Sequence, residues 1–435
     1  MPGKTINFHG ETFPAPVNDQ WDFLLSTIWD QMIHLVITLG GSLDEERLAC
    51  AMRSVLATEP VLRSRFLDSR VPCWEELPAL STAAFFSLMR ADDPEVTLRH
   101  VLLQRIDPRS GPQARLTLIR GRKDTLVLSV NHTASDACGV RDTAVRIARF
   151  YRDYRGKSTL ICPCIPPGDR SYAPIFSFFS PADRERARRA CGDSSAEWGI
   201  PCIPGQCQSP CHTWKRITPD LFRRVRSLSR LEGLTINDLL LSAFFQSVSR
   251  EIPHTDGRNY PVLTTVDLRR MVPGVPAPAV ANLSVAFEVR LPADRSLSPL
   301  SHARETHRAM EEKKGNLAGL GAAIRLQERF EGGFSRVRES LEDLARASRT
   351  EGYLKNPFFS NTGIIPPECT DFGDIKAVSA FLVPPVDYPP GFSVAASTFG
   401  ETLTLASGFC RDSVPAAVVE KVLQGIEDLL RTMVG

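Results

Sequence analysis

Residues 129–142 read SVNHTASDACGVRD, and this stretch decides how the chain is organised. The run Thr125–Val130 leading into it is largely apolar, the pattern of a strand covered on both faces. A polar corner follows at Asn131 and His132, and a helical pattern then runs from about Cys138 to Tyr154. Strand, polar corner and helix together form a rigid frame whose corner still faces solvent, a natural place for chemistry. His132 and Asp136 stand in this corner, four residues apart. A neutral imidazole can take a proton near pH 7 without an extreme shift in affinity, so His132 is the candidate general base. Asp136 would orient the ring or close the corner through an ion pair.

Alternating helix and strand signals extend outward from this point. Arg115–Ile119 pairs with Thr125–Val130 across the polar turn Gly121–Asp124. Met32–Leu39 reads as a strand, broken by Gly40, Gly41 and Ser42. Helices are expected over Gln20–Asp30 and Asp44–Thr58, the second with Leu48, Met52, Val55 and Leu56 inward and Pro60 ending it. Residues 158–211 differ, holding six of the eleven cysteines and many prolines and glycines around a charged helix at 181–190. The pattern restarts at Thr218, a helix cap followed by Pro219 and Asp220. An apolar helix from about Asn237, strands in YPVLTTVDLRR, NLSVAFEVR, GFSVAASTF and TLTLASGF, and a terminal helix from about Val414 complete the chain. The fold class is α/β (α+β), and 435 residues favour two domains over one core.

Composition removes other classes. Apolar residues are 43% and charged residues 23%, a globular balance. A net charge of +2 gives no electrostatic case for nucleic acid, although arginine far outnumbers lysine. The arginine-rich stretches Arg184–Arg189 and Arg223–Arg230 read as solvated helix faces or as docking sites for an anionic partner. No apolar run is long enough to span a membrane, and the opening MPGKTINFHGETFPAP lacks the apolar core of a signal peptide. Eleven cysteines without such a signal point to a reducing compartment, so a cytoplasmic location is expected. Within the connector, Cys202, Cys207 and Cys211, with one of Cys162, Cys164 or Cys191, are expected to hold a structural metal, with zinc the expected ion.

The sequence Asn131-His132-Thr133-Ala134-Ser135-Asp136-Ala137 resembles the His-His-x-x-x-Asp-Gly hallmark of the chloramphenicol acetyltransferase-like superfamily. That superfamily includes condensation domains of non-ribosomal peptide synthetases, polyketide-associated acyltransferases, and wax ester and alcohol acyltransferases. Asn131 stands in place of the first His and Ala137 in place of the Gly. GGSLDEERLACAMRSVLATEPVLRSRF is similar to the family's opening strand, helix and strand, and TINDLLLSAF to the helix that opens its second lobe. TTVDLRR, ANLSVAF, FFSNTGI and Asp371-Phe372-Gly373 resemble later family elements in order and spacing.

The resemblance implies two similar lobes, residues 1–157 and 215–435, arranged as a V around a tunnel, with 158–214 as connector. It implies transfer of an acyl group from a thioester, of coenzyme A or a carrier-protein pantetheine acting in trans, to a hydroxyl or amine. On this reading His132 is the base, Asp136 pairs with Arg269, and Ser360 and Asn361, with Ser284 behind them, are oxyanion or interface candidates. Catalysis requires no cofactor beyond the thioester co-substrate. The two departures keep open a degenerate chain that only binds or scaffolds, and epimerisation or cyclisation is a third class. Acyl chain, acceptor and oligomeric state are open at this level.

Overall fold

The computed structural model describes residues 6–7, 10–154, 168–192, 196–205, 207–274, 279–350 and 354–435. Cys162 and Cys164 lie outside the described residues.

Two sheets organise the chain. The first has five strands in the order Ala377–Val383, Met32–Leu39, Thr125–Asn131, Ala114–Arg120, Phe86–Arg90. Its central strands are apolar on nearly every residue because both faces are covered. Leu126, Leu128 and Val130 point into the main core with Ile33, Leu35 and Ile37. Val127 and Val36 point the other way, against Leu98, Val101, Leu102 and Phe381. The second sheet has six strands in the order Pro210–Ile217, Thr402–Cys410, Ser393–Phe399, Phe358–Ile364, Arg258–Asp267, Ser284–Ala293. It packs on a separate core containing Phe244, Phe359, Phe392 and Leu405, beneath the helices Ile236–Ser249 and Ala416–Val434.

Local rules account for the helix ends. The Asp44 carboxylate accepts from the Arg47 amide, and Glu45 and Glu46 follow in the first turn. Thr218 caps Pro219–Glu232, which ends at Gly233 with φ of 66°, a left-handed conformation suited to glycine. Thr235 and Asp238 form a reciprocal capping box on Ile236–Ser249. The first helix, Val17–Leu24, begins earlier than periodicity indicates and passes into a 3-10 turn, Leu25–Thr27.

The sheets are joined by chain that crosses between them. Ala377–Val383, well inside the second half of the sequence, pairs antiparallel with Met32–Leu39, placing Phe381 opposite Val36. Phe334, Val337 and Leu341 also belong to the first core. Where the sheets meet, His34 and His212 stand edge to face, with ring centroids 6.0 Å apart. His34 Nδ1 bonds Ser129 Oγ at 2.8 Å, and His212 Nε2 lies 3.2 Å from the Pro384 carbonyl.

The connector cysteines do not gather as expected. Cys207 is joined to Cys410 by a disulfide, and Cys202 and Cys211 are free thiols. The predicted tetrad is therefore corrected: among the described residues, the group whose atoms lie within metal-binding reach is Cys207, Cys410 and Asp412. The reason is non-local, since Cys410 ends a strand that pairs directly with Pro210–Ile217 and brings Cys410 to the connector. A disulfide presents no thiolate, and both Asp412 oxygens accept backbone amides of Gln208 and Ser209, so zinc does not fit the site in this form. The cross-link also counts against the argument from free thiols to a reducing compartment.

Two measurements check these features. Peptide mapping without reductant should recover Cys207 linked to Cys410. The bridge spans 203 positions, so Cys410→Ser should cost about 2–4 kcal/mol in urea unfolding. The histidine pair sets a pH dependence. Burial pushes His34 down to about 3 and His212 down to about 4. Between pH 6.5 and those values the unfolded chain binds protons that the folded chain refuses, so each ring withdraws about 1.4 kcal/mol of stability per pH unit of acidification. Asp30, raised to about 6 by burial, opposes this trend equally in wild type and variant. In His34→Gln the stability–pH slope between pH 6 and 4 should therefore be shallower than wild type by about 1.4 kcal/mol per unit.

Candidate active site

The Thr125–Asn131 strand delivers the corner, and hydrogen bonds fix each residue of it. Asn131, buried at the strand end, donates from Nδ2 to the Ile106 carbonyl at 2.9 Å and accepts the Thr133 amide at 2.9 Å. Both halves of its amide thus shape the turn. The His132 amide donates to the Gln31 carbonyl at 2.7 Å. Gln31 adopts φ of 67°, rare for a residue with a side chain and a form of local strain that concentrates at functional sites. From the far side Asn282 Nδ2 donates to the carbonyls of His132 and Thr133 at 2.8 and 2.9 Å. Arg170 Nη2 donates to the Ala134 carbonyl at 2.8 Å.

Asp136 caps the helix Ala137–Asp153 and is itself held from across the molecule. Its Oδ1 accepts the Gly139 amide at 3.0 Å. Its Oδ2 accepts Arg269 Nη1 at 2.8 Å, the amides of Leu283 and Ser284 at 2.9 and 3.0 Å, and Ser284 Oγ at 3.1 Å. Burial works against the ionised carboxyl, yet the Arg269 guanidinium and these amides together hold Asp136 below its usual value. Arg269 is fixed in turn by Asp267 Oδ1 at 3.0 Å and by the carbonyls of Ala279 and Ala281.

The structure therefore brings Asp136, Arg269 and Ser284 together. The single hydroxyl proton of Ser284 is directed at Asp136, which makes it a corner residue rather than a free oxyanion donor. Ser360 and Asn361 lie on Phe358–Ile364 in the second sheet. Ser360 Oγ is 3.2 Å from Thr265 Oγ1, and Asn361 Oδ1 accepts the Gly363 amide at a bulge. No hydrogen bond joins either to His132 among the described residues. The arginines at 186, 188 and 189 pair with Asp183, Glu185 and Glu328, so that helix face is largely self-compensated.

His132 itself is mostly enclosed. Its side chain keeps 20% of its surface, and its ring stacks on Trp29 with centroids 6.0 Å apart. Burial pushes its proton affinity down, so the ring is neutral at pH 7. Nδ1 is buried without a hydrogen bond and faces Asp22 Oδ1 at 3.6 Å. Nε2, at the far end of the ring, is the nitrogen left for a substrate.

Sequence reasoning missed several of these residues. Asp19, Asp22, Arg170 and Asn282 have no local signal, because their partners lie up to 264 positions away. The close approach that the hallmark assigns to a glycine at position 137 falls instead at Gly139. A Cβ there would sit 2.1 Å from Ser135 Oγ and 2.9 Å from the Ala279 carbonyl. The strongest mutational consequence concerns the ion pair. Asp136→Asn takes one of its two carboxylate partners from the largely buried Arg269 guanidinium and leaves Asp267, so the protein should lose about 1.5–3 kcal/mol in denaturant unfolding.

No family model matches the chain, and no curated protein matches it by sequence. Solved structures do resemble it. The TRI3 trichothecene 15-O-acetyltransferase from Fusarium sporotrichioides aligns with a TM-score of 0.71 at 14% identity, covering 99% of this chain and 95% of that one. The first condensation domain of the calcium-dependent antibiotic synthetase aligns at 0.70 and 15%, covering 99% and 98%. The SgcC5 protein from Streptomyces globisporus aligns at 0.69 and 16%, covering 96% and 99%. At these identities the likeness is one of fold, and the chain has the fold shared by chloramphenicol acetyltransferase-like proteins and condensation domains.

Proposed function

We propose that the chain is an acyltransferase that moves an acyl group from a thioester, of coenzyme A or a carrier-protein pantetheine, to a hydroxyl or amine. The observation that carries this reading is His132: a neutral imidazole on a corner whose backbone is held by hydrogen bonds, with Nδ1 buried and the side chain keeping 20% of its surface. The fold likeness to an O-acetyltransferase and a condensation domain supports the same class of chemistry. In this reading residues 1–157 and 215–435 form two lobes of a V, donor and acceptor enter a tunnel between them from opposite mouths, and 158–214 spans one side. The work is placed in the cytoplasm because such thioesters are made there, the argument from free thiols having lapsed with the Cys207–Cys410 bridge; among the described residues no helix is long and apolar enough to cross a membrane.

In the reaction, His132 Nε2 takes the proton of the acceptor as its oxygen or nitrogen attacks the thioester carbonyl. The carbonyl pair moves onto oxygen, where Ser360 and Asn361 are the proposed donors. Collapse expels the thiolate, which recovers the proton from the imidazolium. Asp136 touches none of the reacting atoms; with Arg269 it holds the corner in place. No acyl-enzyme forms.

A panel of acyl-coenzyme A donors with alcohol and amine acceptors, read by release of free thiol, tests the reading. His132→Ala should lower acceptor-dependent thiol release about 10²- to 10⁴-fold with its unfolding midpoint kept. Equal release by wild type and variant would overturn the assignment and favour a binding role for the same fold.

A further inference from the structure

Three carboxyl groups surround the His132 corner, and only two are matched by guanidinium groups. Asp19 is gripped by Arg170 through Nε at 3.0 Å and Nη2 at 2.9 Å, and also accepts Trp74 Nε1 at 2.9 Å. Asp136 is held by Arg269. Asp22 has neither a guanidinium nor a hydrogen-bond donor against it among the described residues, and the group it faces is the imidazole of His132, Oδ1 to Nδ1, at 3.6 Å. Both side chains are largely enclosed, at 12% and 20% exposure. Nδ1 makes no well-formed hydrogen bond, the ring's other polar neighbours being its own backbone carbonyl and Asn282. Two enclosed polar groups thus stand side by side without a well-formed hydrogen bond, one of them on the candidate base.

We propose that Asp22 is the positioning residue of His132: it accepts the Nδ1–H, so that Nε2 carries the lone pair that takes the acceptor's proton. This rests on the acyl-transfer reading. The separation is too long for a hydrogen bond as it stands, and catalytic contacts of this kind tighten when substrate fills the site. Without Asp22 the Nδ1–H would have only the residue's own backbone to hold it, and a proton moved to Nε2 would remove the base there.

Charge favours the arrangement. Burial raises Asp22 well above the usual carboxylate range, and the nearby Asp19 and Asp136 charges add to the effect. Tyr172, buried against the same group, stays un-ionised for the same reason. Burial thus works against charge on both Asp22 and His132, while Asp19 and Asp136 each face a guanidinium. Either form of the carboxyl offers an oxygen that accepts Nδ1–H. During transfer the acceptor's X–H bond breaks, its proton goes to Nε2, and the X–C bond forms. When the C–S bond breaks, that proton leaves with the sulfur. Asp22 neither gains nor loses a proton, and its oxygen steadies the transient imidazolium.

Nitrogen NMR of protein labelled with ¹⁵N-histidine, with the His132 signals assigned through His132→Gln, reads the tautomer directly. Wild type at pH 7 should carry its proton on Nδ1. Asp22→Leu should lose that preference and lower thioester turnover about 10- to 10²-fold, less than removal of the base itself. Asp22→Asn, which keeps a carbonyl acceptor, should retain the tautomer. Asp22→Ala makes the same comparison if the Leu variant does not fold. An unchanged His132 tautomer in the folded Leu or Ala variant overturns the proposal. If the tautomer shifts but no thioester turnover depends on His132, the pairing stands and the acyl-transfer reading fails instead.

Discussion

At Asp136 a buried carboxylate receives five donors, four of them from distant parts of the chain, and the geometry of the candidate site depends on that meeting. Oδ1 closes the first turn of its own helix, while Oδ2 fastens Arg269 and the start of Ser284–Ala293. A carboxylate so deeply enclosed is tolerable only because nearly every acceptor position is used. Asp19 and Arg170 repeat the arrangement nearby, with Asn282 bridging from the corner carbonyls to Asp19. Segments around 19, 136, 170, 269 and 282 thus meet through directional bonds as well as through apolar packing. Such a network fixes orientation as well as position, because hydrogen bonds weaken steeply with angle. His132, between these anchors, inherits its backbone placement from them.

Much of the fold was legible wherever it follows local rules. Met32–Leu39 and Pro181–Ala190 lie where the apolar run and the charged helical pattern place them. Thr218 caps its helix as the Thr-Pro-Asp sequence indicates. Illegible features share one cause, which is distance along the chain. Asn18, Asp19 and Asp22 cluster on one short helix and would ordinarily mark a face turned to water. All three are buried, because Arg170, Asn282 and His132 come to meet them. Periodicity reports which residues share a face, but not what that face meets.

The same limit explains the cysteines. Six thiols in a weakly patterned segment suggest a common ligand when the segment is considered alone. The pairing of Pro210–Ile217 with Thr402–Cys410 carries the decisive information, and it joins residues nearly half a chain apart. At the corner, by contrast, the hallmark residues led to the right neighbourhood even where two of them differ. Asn131 supplies both a donor and an acceptor to the turn, and the demand for a small residue moves two positions along, to Gly139.

The strand Ala377–Val383 has a bearing on how the protein is made. It covers one edge of Met32–Leu39, whose other edge is taken by Thr125–Asn131. On the ribosome about 340 residues separate the completion of these two strands, roughly 20–70 s of synthesis at ordinary elongation rates. Throughout that interval the emerging N-terminal half carries an open, apolar sheet edge, the kind of surface that recruits other chains. Nascent molecules in crowded polysomes would expose the same edge side by side. The burden of keeping them apart falls on chaperones, and cutting the chain ahead of Ala377 would make that exposure permanent.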